Sequence, residues 1–253
     1  DMTDLFWEFW PDSFLDAFFA VAALRPDLTF QLLTKRAERM HDYLEGTNYK
    51  ARHYAIEALR MEGSAARRSD VRCEIVSTGG RDGYNRIEGL KWPLPSVWLG
   101  VSCEDQKTAD ERIPWLLKTP AAKRFVSYEP ALGPVDFRAA LHSGDVCDDC
   151  GEDFGFSGKR SGGFNSQCVN CGNTTYTTDD DIERLDWIIA GCESGPKRRP
   201  MQREWAVSAR LQCKDAGISF FMKQIEMNGR VEHDVSRFPV ELQVRQFPER
   251  NPE

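Results

Sequence analysis

Short apolar segments alternate with helical patterns along this chain, and this alternation limits the folds that it can adopt. Strands in the core of a parallel sheet are covered by helices on one or both faces, so they are apolar along most of their length. The alternation therefore predicts an α/β protein, with a partial (β/α) barrel as first choice and a doubly wound sheet as the alternative. The predicted strands are Leu28–Leu33, Ser96–Val101, Arg124–Ser127, Asp186–Ala190 and Ile218–Met222. The predicted helices are Pro11–Leu24, one that follows Thr34-Lys35-Arg36 and runs to about Leu44, Asp105–Leu117 and Met201–Ala216.

The rhythm of strands and helices predicts one barrel domain over residues 1–253 with two insertions. Residues 46–95 form an insertion of unknown role, and residues 143–181 form one that carries two cysteine pairs. Residues 1–4 look like the tip of a further strand, so we expect the barrel to be truncated at its N-terminus. The last 25 residues contain three prolines, and we expect them to be loosely attached.

Four cysteines have the spacing of a zinc ribbon, C-x₂-C-x₁₇-C-x₂-C, formed by Cys147, Cys150, Cys168 and Cys171. A glycine follows each pair and frees the backbone to turn its amide groups toward the sulfurs. Four thiolates favour Zn²⁺ and leave no open position for a substrate, so we expect a structural site. The alternatives are a rubredoxin-like iron site and a pair of disulfides.

Composition excludes several classes of protein. The net charge of −7 argues against a general polyanion-binding protein, and no apolar run reaches the ~20 residues that cross a bilayer. Eight cysteines, half of them in a metal pattern, suit a reducing compartment better than a disulfide framework. We therefore expect a cytoplasmic protein with no membrane partner; the sequence carries no signal for an oligomeric state.

Polar residues follow each predicted strand, where the chemistry of parallel α/β sheets gathers. Glu193 lies in a loop bracketed by glycines, which lets backbone amides approach a ligand, and is the strongest candidate. Ser102 and Asp105 precede a helix and are each either a ligand or a helix cap. The cations Lys35, Arg36 and Lys223 are expected to pair with carboxylates or to hold an anionic substrate. Cys103 and Cys192 also lie at strand ends, as reactive thiols or as buried apolar residues.

These strand-end motifs together resemble a phage and prophage family of unassigned function. Its members look like radical S-adenosylmethionine proteins and carry an N-terminal motif of three cysteines. The resemblance covers most of the chain outside the two insertions. It rests on residues 1–6, 30–36, 97–106, 109–114, 129–134, 191–196 and 220–224.

The resemblance implies a partial (β/α)₆ barrel of the radical-S-adenosylmethionine type. In it, S-adenosylmethionine would bind across the strand ends beside a cysteine-ligated [4Fe–4S] cluster. Thr3 and Asp4 would lie near the methionyl amino group and Ser102 near the ribose. These three residues are the expected cofactor-binding set.

The same resemblance implies roles for the remaining candidates. Glu129 and Glu193 would line the cavity, and Lys35 would face the substrate, which makes these three the expected catalytic residues. No three cysteines of the chain have the spacing of the cluster motif. We therefore expect the [4Fe–4S] cluster and S-adenosylmethionine only in a full-length protein, and the chain by itself to be inactive.

Two functions follow as expectations. The first is an enzyme of a bacterial host or phage-infected cell that modifies a nucleic acid or a protein by radical chemistry. The second is a zinc-ribbon protein that binds nucleic acid or acts as a scaffold without catalysis. In the second, the ribbon and basic loops such as residues 197–199 would hold DNA or RNA.

Overall fold

A computed structural model describes residues 4–45, 93–141 and 183–249, together with the backbones of four short strands between these ranges. The strands are β1 (Phe30–Thr34), β2 (Ile75–Val76), β3 (Arg86–Ile87), β4 (Val97–Ser102), β5 (Lys123–Tyr128), β6 (Asp145–Cys147), β7 (Tyr176–Thr178), β8 (Trp187–Gly191), β9 (Ser219–Met227) and β10 (Arg230–Glu232). The helices are α1 (Asp12–Leu24), α2 (Ala37–Glu45), α3 (Gln106–Lys118), α4 (Arg138–Leu141) and α5 (Arg203–Ala216).

Six strands form one curled sheet in the order β1-β4-β5-β8-β9-β10. The first five are parallel neighbours, and β10 pairs antiparallel with β9. All five predicted strands therefore exist, and the curled half-barrel confirms an α/β protein with a partial barrel. The hairpin that adds β10 was not predicted. It turns at Asn228 and Gly229, both with positive φ, which permits a tight reversal.

The two faces of the sheet carry different cores, because side chains alternate along each strand. Residues such as Leu99, Val126 and Ile188 belong to the main core, which also includes buried residues of α1, α2, α3 and α5. The opposite, inner face carries a small aromatic cluster of Trp98, Phe125 and Trp187, with Ile189 and Phe221 against it. Helices thus cover one face of the sheet, whereas on the inner face the ring of Phe247 from the C-terminal segment packs against Trp187 and Phe221.

Gly100 is needed on the inner face because the ring of Phe125 lies directly against it. A Cβ at this position would come within 2.4 Å of the Phe125 ring atoms. Phe125 in turn packs against Trp187, with 5.8 Å between ring centroids. A side chain at Gly100 would therefore have to displace a buried ring.

Helix α3 begins with a capping box, which decides whether Asp105 is a ligand or a helix cap. Asp105 Oδ1 accepts a hydrogen bond from the Thr108 backbone N–H at 2.9 Å, and Thr108 Oγ1 accepts from the Asp105 N–H at 3.1 Å. Asp105 is thus a helix cap.

The C-terminal segment corrects the prediction that the last 25 residues are loosely attached. Phe238 and Leu242 are buried in the main core. Backbone bonds join Met222 N–H to Val244 O at 2.8 Å and Gln246 N–H to Phe220 O at 2.9 Å. The segment thus lies along β9 as far as residue 246. Pro239 precedes a short 3₁₀ turn, Val240–Leu242, and does not prevent this packing.

The two predicted insertions lie largely outside the described residues. Within 46–95, β2 and β3 pair antiparallel, and within 143–181, β6 and β7 do the same. The predicted strand tip at residues 1–4 also falls mostly outside them, and Asp4 itself is not in a strand. Among the helices of the described ranges, none is long and apolar enough to span a bilayer.

Candidate functional site

Charged and hydroxyl side chains meet where the inner face of the sheet reaches the carboxyl ends of the strands. Except for Arg199, which lies in the loop after β8, they follow the alternation of the strands and continue the inner-face positions beyond the aromatic cluster. We call this set the carboxyl-edge cluster. It consists of Lys35, Ser102, Glu104, Ser127, Glu129, Glu193, Arg199 and Lys223.

Glu129 lies at the end of β5 and is the best-positioned carboxylate of the cluster. Its Oε2 accepts a hydrogen bond from Lys223 Nζ at 2.8 Å. A Cβ at Gly191, on the intervening strand, would lie 3.3 Å from Glu129 Cδ, so the glutamate crosses directly over this glycine. The following loop is fixed by the Ala131 N–H, which donates to Gly191 O at 3.0 Å. The predicted residue Glu129 therefore lies on the inner edge, held by its neighbours.

Glu104 joins two cations and lies beyond the end of β4. Lys35 Nζ donates to its Oε1 at 2.5 Å, and Arg112 of α3 donates to its Oε2 at 3.0 Å. The side chain of Glu104 is 12% exposed, whereas that of Lys35 is 58% exposed. The inward carboxylate of Glu104 thus anchors Lys35, whose ammonium group faces solvent.

Glu193 and Arg199 form a further ion pair of the cluster, in the loop after β8. Arg199 donates to both carboxylate oxygens, from Nε at 3.0 Å and Nη2 at 2.7 Å, and its backbone N–H donates at 2.6 Å. These bonds lower the pKa of Glu193 to about 2. They also raise the pKa of Arg199, to which the nearby charge of Glu104 adds. Glu193 is therefore a fixed anion at neutral pH.

Two serines lie side by side below these charges. Ser102 and Ser127 are paired in register at the ends of β4 and β5, and both are buried. Neither hydroxyl hydrogen-bonds to another described residue. The pair offers two hydroxyl groups to a ligand in the half-barrel. Ser102 was predicted as a ligand residue, Ser127 was noted as a polar residue at its strand end, and the register places the two side by side.

Asp4 was predicted to bind a cofactor, and here it ties the N-terminal segment to the end of β1. Its Oδ1 accepts from the Phe6 N–H at 3.0 Å and from Thr34 Oγ1 at 2.7 Å. Its Oδ2 accepts from the Lys35 N–H at 3.2 Å and from Arg36 Nη1 at 2.9 Å. A ligand at Asp4 would compete with these four bonds. Thr3 lies outside the described residues.

The described cysteines are buried apolar residues. Burial raises the pKa of Cys103 to about 12 and that of Cys192 to about 11, so neither is a ready thiolate. No group of three or more His, Cys, Asp and Glu side chains suited to a metal occurs in the described part of the chain. Of the predicted zinc ligands, Cys147 is described only as backbone at the end of β6. Cys150, Cys168 and Cys171 lie outside the described residues.

The basic loop at residues 197–199 is mostly engaged with its own chain. Arg198 donates to Gly195 O at 3.2 Å and to Gly229 O, and Arg199 is paired with Glu193. Only Lys197 of the three side chains extends without such a partner in the described structure. Two of the three cations of this loop are thus bonded within the chain.

Sequence reasoning missed the residues that hold the cluster in place. Arg112 was seen only as part of a helix motif, and Gly191 only as a loop glycine. A helical projection from Asp105 would have turned Arg112 toward the strand end, since the two are seven residues apart and share a face. No local signal identifies Gly191, whose role depends on two neighbouring strands.

Comparisons with known proteins place the chain in a family. No curated protein and no solved structure matches it. A family model described as "Protein of unknown function (DUF5131)" matches residues 1–246. This match covers the fold and every residue of the carboxyl-edge cluster. The chain therefore belongs to the DUF5131 family of proteins of unknown function.

Proposed function

We propose that this chain is the barrel of a radical S-adenosylmethionine-type enzyme that modifies a nucleic acid or a protein. The observation that carries the proposal is the carboxyl-edge cluster, in which Glu129–Lys223 and Lys35–Glu104 face the open side of a half-barrel. Ligands of α/β barrels bind at this edge of the sheet. Charged groups that are anchored on one side and exposed on the other are suited to a polar substrate.

The residues of the cluster fit part of the proposed cofactor. Ser102 and Ser127 offer hydroxyl groups for a ribose, and Glu129 or Glu193 offers a carboxylate for an amino group. When bound, S-adenosylmethionine would supply an adenosyl group for radical formation. Lys35, with its exposed ammonium, is placed to bind an anionic group of the substrate.

The [4Fe–4S] cluster does not fit the described residues. Cys103, Cys192 and Cys213 are buried free thiols, and no set of metal-ligating side chains surrounds the edge of the described sheet. A [4Fe–4S] cluster would need ligands from outside the described ranges.

We further propose that the insertion at 143–181 is a zinc ribbon. In support, β6 and β7 pair antiparallel, with Cys147 opposite Tyr176. This pairing brings together the two ends of the segment that contains the other three cysteines. All four thiolates would then lie in one short module, where the metal stabilises the fold and takes no part in chemistry.

Binding of S-adenosylmethionine tests the proposed site directly. Isothermal titration of the natural gene product, reconstituted with iron and sulfide, should show one binding site, and Glu129→Gln and Ser102→Ala should each weaken it about tenfold or more. Glu232→Gln, a carboxylate on β10 outside the cluster, is the matched control and should bind normally. No binding, or equal loss in all three variants, would contradict the proposed cofactor site.

Activity is tested on the natural gene product. After reconstitution with iron and sulfide under reducing conditions, it should release 5′-deoxyadenosine from S-adenosylmethionine. Glu129→Gln should reduce this release while Glu232→Gln does not. Absence of both cluster absorbance and 5′-deoxyadenosine would remove the radical mechanism and leave a binding or scaffold role.

A further inference from the structure

A cleft lies at the opposite end of the sheet from the carboxyl-edge cluster. It has a volume of about 290 Å³, and its lining includes Ser219 and Phe220 at the start of β9. Lys223 is four residues further along the same strand, about 13 Å away at about 3.3 Å per residue. The cleft is thus separate from the site described above.

The polar groups of this cleft are mainly hydrogen-bond donors. Arg210 and Lys214 lie one turn apart on α5 and both line it. Neither side chain makes an ion pair or a hydrogen bond within the described structure. No carboxylate occurs among the described residues that line the cleft. Two adjacent unpaired cations repel each other on a helix, and an anion between them would relieve this.

Gln246 adds a fixed amide to the two cations. Its side-chain Oε1 accepts from the Phe220 N–H at 3.2 Å. Its backbone N–H donates to Phe220 O at 2.9 Å, and its backbone O accepts from Trp187 Nε1 at 2.9 Å. With the oxygen occupied, the NH₂ group of Gln246 is left to donate to a ligand.

The rest of the lining comes from Gly217, Ile218, Ser219, Phe220 and Val244, with Phe220 and Ile218 themselves buried in the main core. A ligand that matches this lining has an anionic end and a small body. The volume is at the lower end of the range for small-molecule pockets, about 300–1,000 Å³. We propose that this cleft binds a small phosphate ester of about mononucleotide size, with its phosphate between Arg210 and Lys214. The site does not depend on the proposed function of the carboxyl-edge cluster.

Titration calorimetry with adenosine 5′-monophosphate tests this site. The chain should bind it with an affinity that falls as salt rises, and R210Q/K214Q should weaken binding at least about tenfold. K107Q/R230Q removes the same charge outside the cleft and should bind like the parent. R210K/K214R keeps both charges and should stay within a few-fold of the parent.

Two further measurements decide what the cations do. Lys214 lies in the last turn of α5, where it also complements the helix dipole, so thermal unfolding of the free variants is compared. Similar melting temperatures with lost binding support a ligand site. Equal binding by R210Q/K214Q and K107Q/R230Q, or binding of adenosine as tight as that of its monophosphate, would overturn the proposal.

Discussion

Lys223 Nζ and Glu129 Oε2 lie 2.8 Å apart although the two residues are 94 positions apart in the chain. The pair bridges β5 and β9 and crosses the strand between them. The side chain of Glu129 is 15% exposed and that of Lys223 is 53% exposed. The Glu129 carboxylate is thus held in place by the sheet. The Lys223 ammonium reaches solvent, so a ligand group can take its place beside the carboxylate.

Removal of either partner of this pair should destabilise the fold modestly. In a double-mutant cycle of Glu129→Gln and Lys223→Met, we expect a coupling free energy of about 0.5–1 kcal/mol, because the carboxylate is partly buried. Urea denaturation measures it. The exposed pair Arg25–Asp27 is the control and should show no measurable coupling. Equal coupling in both pairs would contradict the difference in burial.

Two glycines of the inner face should respond differently to alanine. Gly100→Ala should lower the free energy of unfolding by about 1–3 kcal/mol, because its Cβ would overlap the buried Phe125 ring. Gly191→Ala should cost less, since its Cβ would meet only side chains at 3.3 Å, but it should shift Glu129. Denaturation of both variants checks the order. A larger loss at Gly191 would refute it.

Arg199→Met should release the Glu193 carboxyl from its low pKa. Arg199 holds this pKa at about 2 against an ordinary value of 4.5. Any stability from the pair is complete above 4.5 and is lost as the pH falls through about 2. Carboxyl ¹³C NMR should show the midpoint rising toward 4.5 in the variant, whereas Lys197→Met leaves it in place. An unchanged midpoint in Arg199→Met would disprove the pairing.

The cap of α3 should contribute about 1 kcal/mol to stability. Asp105→Ala removes the acceptor of the Thr108 N–H, and Glu111→Ala, an exposed change on the same helix, is the control. Hydrogen bonds from Thr108 hold the pKa of Asp105 below its ordinary 3.8, so the cap is complete above that pH and weakens in stronger acid. In thermal melts, the difference between the two variants should therefore be full at pH 7 and should shrink as the pH is lowered below 3.8.

Metal analysis should find one zinc per chain. Cys168→Ser/Cys171→Ser should lose it, because two of the four proposed thiolate ligands are removed. Cys213→Ser alters a buried thiol of the core and should keep the zinc. An iron-containing red protein, or zinc retained by the double variant, would exclude the ribbon.

Local patterns predicted much of this fold. The five apolar segments are strands, the four helices begin and end within about two residues of their predicted limits, and the position of Asp105 before α3 allowed it as a cap. The apolar pattern of a buried strand and the cap of a helix are formed by residues close together in the sequence, so a single sequence reveals them. The strand ends also predicted that Lys35, Glu129 and Glu193 lie at the same edge of the sheet.

The order of the elements and the residues at their ends can therefore be predicted from the sequence alone. The pairs that these residues form can be seen only in the folded chain: Lys35 with Glu104, Glu129 with Lys223, and the C-terminal segment with β9. It alone showed that Gly100 makes room for Phe125 and that Gly191 lies beneath Glu129. The physical reason is that such contacts depend on strand order and register, which bring distant residues to within hydrogen-bond distance and leave no mark on the local sequence.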